Sequence, residues 1–205
     1  MKLYYAPGAC SIGIHVLLEE IGKPYEAVAL NLREGAQFKP EFTGVNPKSK
    51  VPTLVRDDGT VQTEYPAIAF WLAASNPEAG LMPKTPEGQA RALEAADYCV
   101  ATLHMQGFSR IFRPDNYAPS ESAHAAVKAK GEEIFQKGLG VMDKALAGKD
   151  WVAGDYSFAD SALFYVSFWW NGRLKKDLPG NVAAHYARMN ARPAVQRTLK
   201  AEGLA

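Results

Sequence analysis

The first 78 residues alternate between short apolar runs and helical spacing. Leu3 to Tyr5 is a brief apolar run halted by Pro7 and Gly8, as a buried strand is. Ile14, Leu17, Leu18 and Ile21 then fall at i, i+3, i+4 and i+7, which predicts one face of a helix, and Gly22 followed by Pro24 stops it. Between Tyr25 and Leu32, Val28 and Leu30 alternate with smaller or polar residues, the pattern of a second strand. The β-prone runs Thr53-Leu54-Val55 and Val61-Gln62-Thr63 flank Asp57-Asp58-Gly59, a strong hairpin signal. A helix opens at Pro66, where a first-turn proline is tolerated, and continues through Ile68, Trp71 and Leu72 to Asn76-Pro77. The predicted order is β-α-β followed by β-β-α.

Beyond Pro83 and Pro86 the spacing is helical throughout. Alanine-rich segments run from Glu87 to about Phe108 and from Ser120 to about Leu146. Others cover Phe158 to Asn171, Val182 to Asn190 and Ala194 to Ala201. The expectation is an α/β domain over residues 1–78 and an all-helical domain over 86–205, joined by the proline-marked linker Asn76 to Pro86. Charge shifts at the same place, from 7 basic and 9 acidic residues in 1–78 to 16 and 13 in 84–205.

Composition narrows the function classes. The 205 residues are 47% hydrophobic and 22% charged, as in ordinary globular proteins, and carry a net charge of +1. So even a balance offers no field for nucleic acid or for an anionic membrane surface. No apolar stretch approaches the roughly 18 residues that a membrane span needs. Two cysteines, Cys10 and Cys99, make neither a disulfide framework nor a four-cysteine zinc site, so the cytoplasm is the expected compartment and no metal is expected.

Candidate chemistry begins at Cys10. It lies between a Pro-Gly turn and a helix starting near Ser11, and the positive end of a helix lowers a thiol's pKa and offers N–H groups to an anion. It is a nucleophile or thiolate-binding group on that reading, and a small hydrophobe at a helix start on the other. Ser11 is an N-cap or a donor to a bound thiolate. His15, one turn on, is expected to be a structural hydrogen-bonder, and Cys99 inert packing. In Asn46-Pro47-Lys48-Ser49-Lys50-Val51-Pro52, a proline directly before a strand suggests a cis bond that exposes neighbouring amides to an extended ligand. Glu64-Tyr65-Pro66 opens a helix whose N–H groups, with the Glu64 carboxylate, suit a zwitterion or simply complement the helix dipole. Ser157-Phe158-Ala159-Asp160 fits a capping box for a helix dense in aromatics.

Together these pieces resemble the cytosolic glutathione transferases, most closely the bacterial beta class. The matching residues are Tyr4-Tyr5-Ala6-Pro7-Gly8-Ala9-Cys10-Ser11 with His15, Asn46-Pro47, Val51-Pro52, Thr63-Glu64 with Pro66-Ala67-Ile68, Leu103-His104 and Gly154 to Asp160. The resemblance implies a thioredoxin-like N-terminal domain followed by a helical-bundle C-terminal domain, and a homodimer. It implies an enzyme of detoxification that conjugates glutathione, as co-substrate and without another cofactor, to small hydrophobic electrophiles. By the same resemblance Cys10 and Ser11 are catalytic, standing near the glutathione sulfur. Lys50, Val51, Pro52, Glu64, Tyr65, Asp97 and His104 would bind glutathione, Asp97 in the neighbouring subunit. Met105, Phe108, Phe112 and Trp169 would meet the apolar substrate. Tyr65 stands where the family commonly has serine, and Met105 where the beta class commonly has lysine. Two alternatives are a glutathione-dependent thiol–disulfide oxidoreductase acting through Cys10 and a non-catalytic ligand-binding or interaction protein of the same fold.

Overall fold

The computed structural model describes all 205 residues. They form two compact units, one of residues 1–82 with 188–205, the other of residues 83–187.

The first unit is built on a four-stranded sheet of order β2-β1-β3-β4. Strand β1 (Lys2–Tyr5) leads to helix α1 (Ser11–Ile21), and β2 (Glu26–Ala29) returns parallel to β1. This is a βαβ crossover, as parallel pairing requires. A short helix α2 (Pro40–Thr43) precedes β3 (Thr53–Val55) and β4 (Val61–Thr63). Leu3 pairs with Ala27 on one side and Leu54 on the other, and Leu54 with Gln62. Alternation buries Leu3 and Tyr5 on one side of β1. The hairpin turns on Gly59 at φ 82, a left-handed position that glycine takes without steric cost. Helix α3 (Tyr65–Ser75) follows, and the sheet with its α1 and α3 is the thioredoxin-like arrangement.

Helix α1 is enclosed all round. Every residue from Ser11 to Leu18 is buried, although its sequence spacing announces only one apolar face. The cover comes from the far end of the chain.

The second unit is helical: α4 (Pro86–Tyr98), α5 (Ser109–Phe112), α6 (His124–Ala145) and α7 (Phe158–Ser167). Helix α8 (Gly180–Ala191) leads on to α9 (Pro193–Ala201), which packs against α1 within the first unit. Residues 188–205, grouped by sequence with the helical domain 86–205, therefore count with the α/β unit. Two predicted α-helices end in π-helical stretches, Cys99–Phe108 after α4 and Phe168–Arg173 after α7, which hydrophobic spacing does not distinguish from α. Helix α6 lies against the first of these through Gly131 and Gly138. A Cβ on Gly131 would stand 2.7 Å from the Gly107 carbonyl oxygen, and one on Gly138 would stand 2.8 Å from Leu103 Cδ1. The capping box forms at α7: Ser157 Oγ accepts from Ala159 N, and Asp160 accepts from Ser157 N at 2.8 Å.

Candidate functional site

Three chain segments of the first unit are tied to one another by hydrogen bonds. The first is the turn from Ala6 to Cys10. Ala9 N donates to Ala6 O, Gly8 takes φ 65, and Gly8 N donates to the carboxylate of Glu202 at 2.7 Å. The other Glu202 oxygen lies 2.8 Å from His15 Nδ1, and both side chains are buried. Nothing in local spacing announces Glu202, 194 residues from Gly8. His15 is, as expected, a structural hydrogen-bonder.

The second segment is the loop before β3, organised by buried Asn46. Its Nδ2 donates to Lys50 O at 3.0 Å and to Thr53 Oγ1 at 2.8 Å, while its Oδ1 accepts from Lys48 N at 3.0 Å. Such a side chain holds a loop in place of backbone pairing. The Val51–Pro52 bond is cis. Lys50 is exposed and Pro52 buried.

The third is the junction of β4 and α3. Glu64 sits at φ 67, ψ 123, outside the regions that a side chain favours. A residue held there costs about 1–3 kcal/mol, and such strain gathers at functional sites. No side chain caps the first turn of α3, so its N–H groups are suited to an anion. Tyr65 is buried, its phenol packed away from solvent.

Two bridges join the segments. The Cys10 thiol donates to Val51 O at 3.4 Å. Lys48 Nζ donates to Thr63 Oγ1 at 2.9 Å and to Glu64 Oε1 at 2.8 Å. Cys10, Val51, Pro52, Glu64 and Tyr65 thus belong to one connected constellation. Lys48 and Asn46 do as well, in roles that spacing did not reveal.

Two expectations need correction. The helix start does not lower the Cys10 thiol: burial pushes it up to about 12, outweighing the nearby N–H groups of Cys10 and Ser11 and the charge of Lys50. Ser11 is not the N-cap. Cys10 holds that position, while the enclosed Ser11 hydroxyl donates to Ala6 O and accepts from Ala6 N.

In the second unit, Asp97 is exposed on α4. His104, in the π-helical stretch, stands edge-on to Trp169 at 4.7 Å between ring centroids, and its Nδ1 is 3.5 Å from the Tyr165 hydroxyl. Phe108 stacks on Trp169 at 4.1 Å, and Phe112 lies parallel to Phe108 at 5.6 Å. Phe108 and Trp169 are buried within this row of rings, whereas Met105 and Phe112 are exposed, Phe112 by 62%. Cys99 is buried inert packing, and burial pushes its thiol upward.

Comparison with known proteins agrees with this geometry. The family model for the glutathione S-transferase N-terminal domain matches residues 8–75, and that for the C-terminal domain matches residues 100–193. Glutathione S-transferase GstA of Escherichia coli O157:H7 is 37% identical over 209 residues, covering both chains entirely. Disulfide-bond oxidoreductase YfcG of Escherichia coli K12 is 28% identical, with 98% of this chain and 96% of that protein covered. The structure of a bacterial beta class glutathione S-transferase from Sphingomonas chungbukensis superimposes with a TM-score of 0.85 at 34% identity, with both chains fully covered. With both family models matched and a full-length relative above a third identical, the chain belongs to the glutathione S-transferase family, and the solved structures similar to it include one of the bacterial beta class.

Proposed function

We propose that this enzyme conjugates reduced glutathione to small hydrophobic electrophiles, in a detoxifying role in the bacterial cytoplasm and as a homodimer. The observation that carries the reading is Glu64, held at positive φ at the uncapped start of α3 and tied through Lys48 to the cis Val51–Pro52 loop. A γ-glutamyl ammonium pairs with Glu64, and the extended cysteinyl backbone pairs with Val51 as an added strand would. Lys50 takes the glycyl carboxylate and Tyr65 lies by the γ-glutamyl end; Asp97 reaches the glutathione of the neighbouring subunit, and His104 is the helical unit's glutathione-binding residue. The electrophile rests on Met105 and Phe112, backed by Phe108 and Trp169.

In this mechanism Cys10 is a donor. A thiol held near 12 stays protonated at neutral pH, so its S–H turns from Val51 O to the glutathione sulfur and stabilises that sulfur as thiolate. The glutathione thiol gives its proton to solvent, the resulting thiolate attacks the electrophilic carbon, the carbon–sulfur bond forms, and the leaving group departs with its electron pair. The same protonated state weighs against the disulfide-exchange alternative, which needs Cys10 itself as thiolate. The test is conjugation of 1-chloro-2,4-dinitrobenzene. The expected result is a glutathione-dependent thioether, slowed about tenfold in Cys10→Ala, the worth of one hydrogen bond to a charged acceptor. Absence of thioether formation, with disulfide reduction that vanishes in Cys10→Ala, would overturn the assignment.

A further inference from the structure

Resting on the glutathione reading above, we infer that the Lys48 side chain, beside the N–H groups at the start of α3, recognises the α-carboxylate of the γ-glutamyl group. The argument starts from a charge in an unfavourable place. Lys48 Nζ sits beside the start of α3, bonded to Thr63 Oγ1 and Glu64 Oε1. A cation at a helix N-terminus opposes the helix dipole, so the position does not serve the helix. Nor does it serve stability through the ion pair, because both partners are largely exposed, at 52% and 61%. The loop that carries the lysine is nonetheless fixed, because the Lys48 backbone N–H donates to buried Asn46, the hub of that loop, and Nζ reaches both Thr63 Oγ1 and Glu64 Oε1.

A γ-glutamyl terminus explains the arrangement. It carries an ammonium and a carboxylate on one carbon, and the protein offers a carboxylate and an ammonium 2.8 Å apart. On binding, the two ion pairs exchange partners: Glu64 takes the ligand ammonium and Lys48 takes the ligand carboxylate. No net charge enters the site. Exposure of the resting pair keeps the exchange cheap, since neither group is desolvated beforehand. Lys48 therefore reads the presence of the α-carboxylate, while Lys50, two residues on, is left for the glycyl end.

Calorimetric titration of the full chain with two ligands tests this: reduced glutathione, and γ-aminobutyryl-cysteinyl-glycine, which lacks only the α-carboxylate. Wild type binds the analogue about tenfold more weakly than glutathione, the effect of losing one charge-assisted contact. Lys48→Met binds glutathione about tenfold more weakly and no longer separates the two ligands, whereas Lys48→Arg restores most of the difference. Equal weakening of both ligands in Lys48→Met would make the lysine a mere support for Glu64 and overturn the inference, as would undiminished glutathione binding. Failure of wild type to bind glutathione is a separate result, and it would overturn the function itself.

Discussion

The protonated state of Cys10 is open to a direct chemical test. Burial raises the thiol from 9.0 to about 12, despite its place at the start of α1. At pH 8 an ordinary thiol of 9.0 is about one-tenth thiolate, while one at 12 is about one part in ten thousand, so alkylation at equal access slows roughly a thousandfold. The assay is iodoacetamide alkylation of the ligand-free protein between pH 6 and 10, with Cys10 followed by peptide mass spectrometry. Cys99, fully buried, serves as the internal unreactive thiol. The rate at Cys10 should rise about tenfold per pH unit across the whole range, without a plateau. A plateau below pH 8 would refute the reasoning, because it would mean that the helix start and Lys50 outweigh burial. The same shift has a consequence for stability. Above pH 9 the unfolded chain releases this proton and the folded chain does not, so stability falls from 9 towards 12; Cys10→Ser removes that part of the alkaline loss.

Gly131→Ala drives a methyl to 2.7 Å from the Gly107 carbonyl oxygen and should cost about 1–3 kcal/mol, lowering Tm by roughly 2–10 °C. Gly140→Ala, in the same helix with nothing within 4 Å, should instead raise Tm slightly through a gain of about 0.5–1 kcal/mol, and thermal unfolding compares the two. Glu202→Gln removes the charge that accepts from Gly8 N and leaves a single carbonyl oxygen between Gly8 N and His15 Nδ1, and should cost about 2 kcal/mol, seen as a lower denaturation midpoint. An unchanged midpoint would mean that the Gly8 turn holds without that carboxylate.

Local chemistry was legible in the sequence, and long-range enclosure was not. Periodicity predicts α1 from Ile14, Leu17, Leu18 and Ile21, and Asp57-Asp58-Gly59 predicts the hairpin, because each depends on neighbours within one turn or one pair of strands. Val51-Pro52 and Glu64 are visible as a proline before a strand and an acid before a helix. The pKa of Cys10 is not visible, since the helix start is local but the burial that overrides it is tertiary. Glu202 reaches Gly8 only because α9 returns to α1, and no spacing rule spans that distance. The Lys48–Glu64 pair joins two loops whose approach is set by the sheet. The π-helical stretch at His104 keeps helical spacing and so reads as plain α-helix. Helix α2 is too short for periodicity to register.

The central claim is that the connected segments at Cys10, Val51 and Glu64 form a glutathione site. The most direct measurement is calorimetric titration of the purified protein with reduced glutathione at pH 6.5 and 8.5. The account predicts saturable binding of one glutathione per subunit, with proton release as the bound thiol ionises. Absence of binding at millimolar glutathione would contradict it.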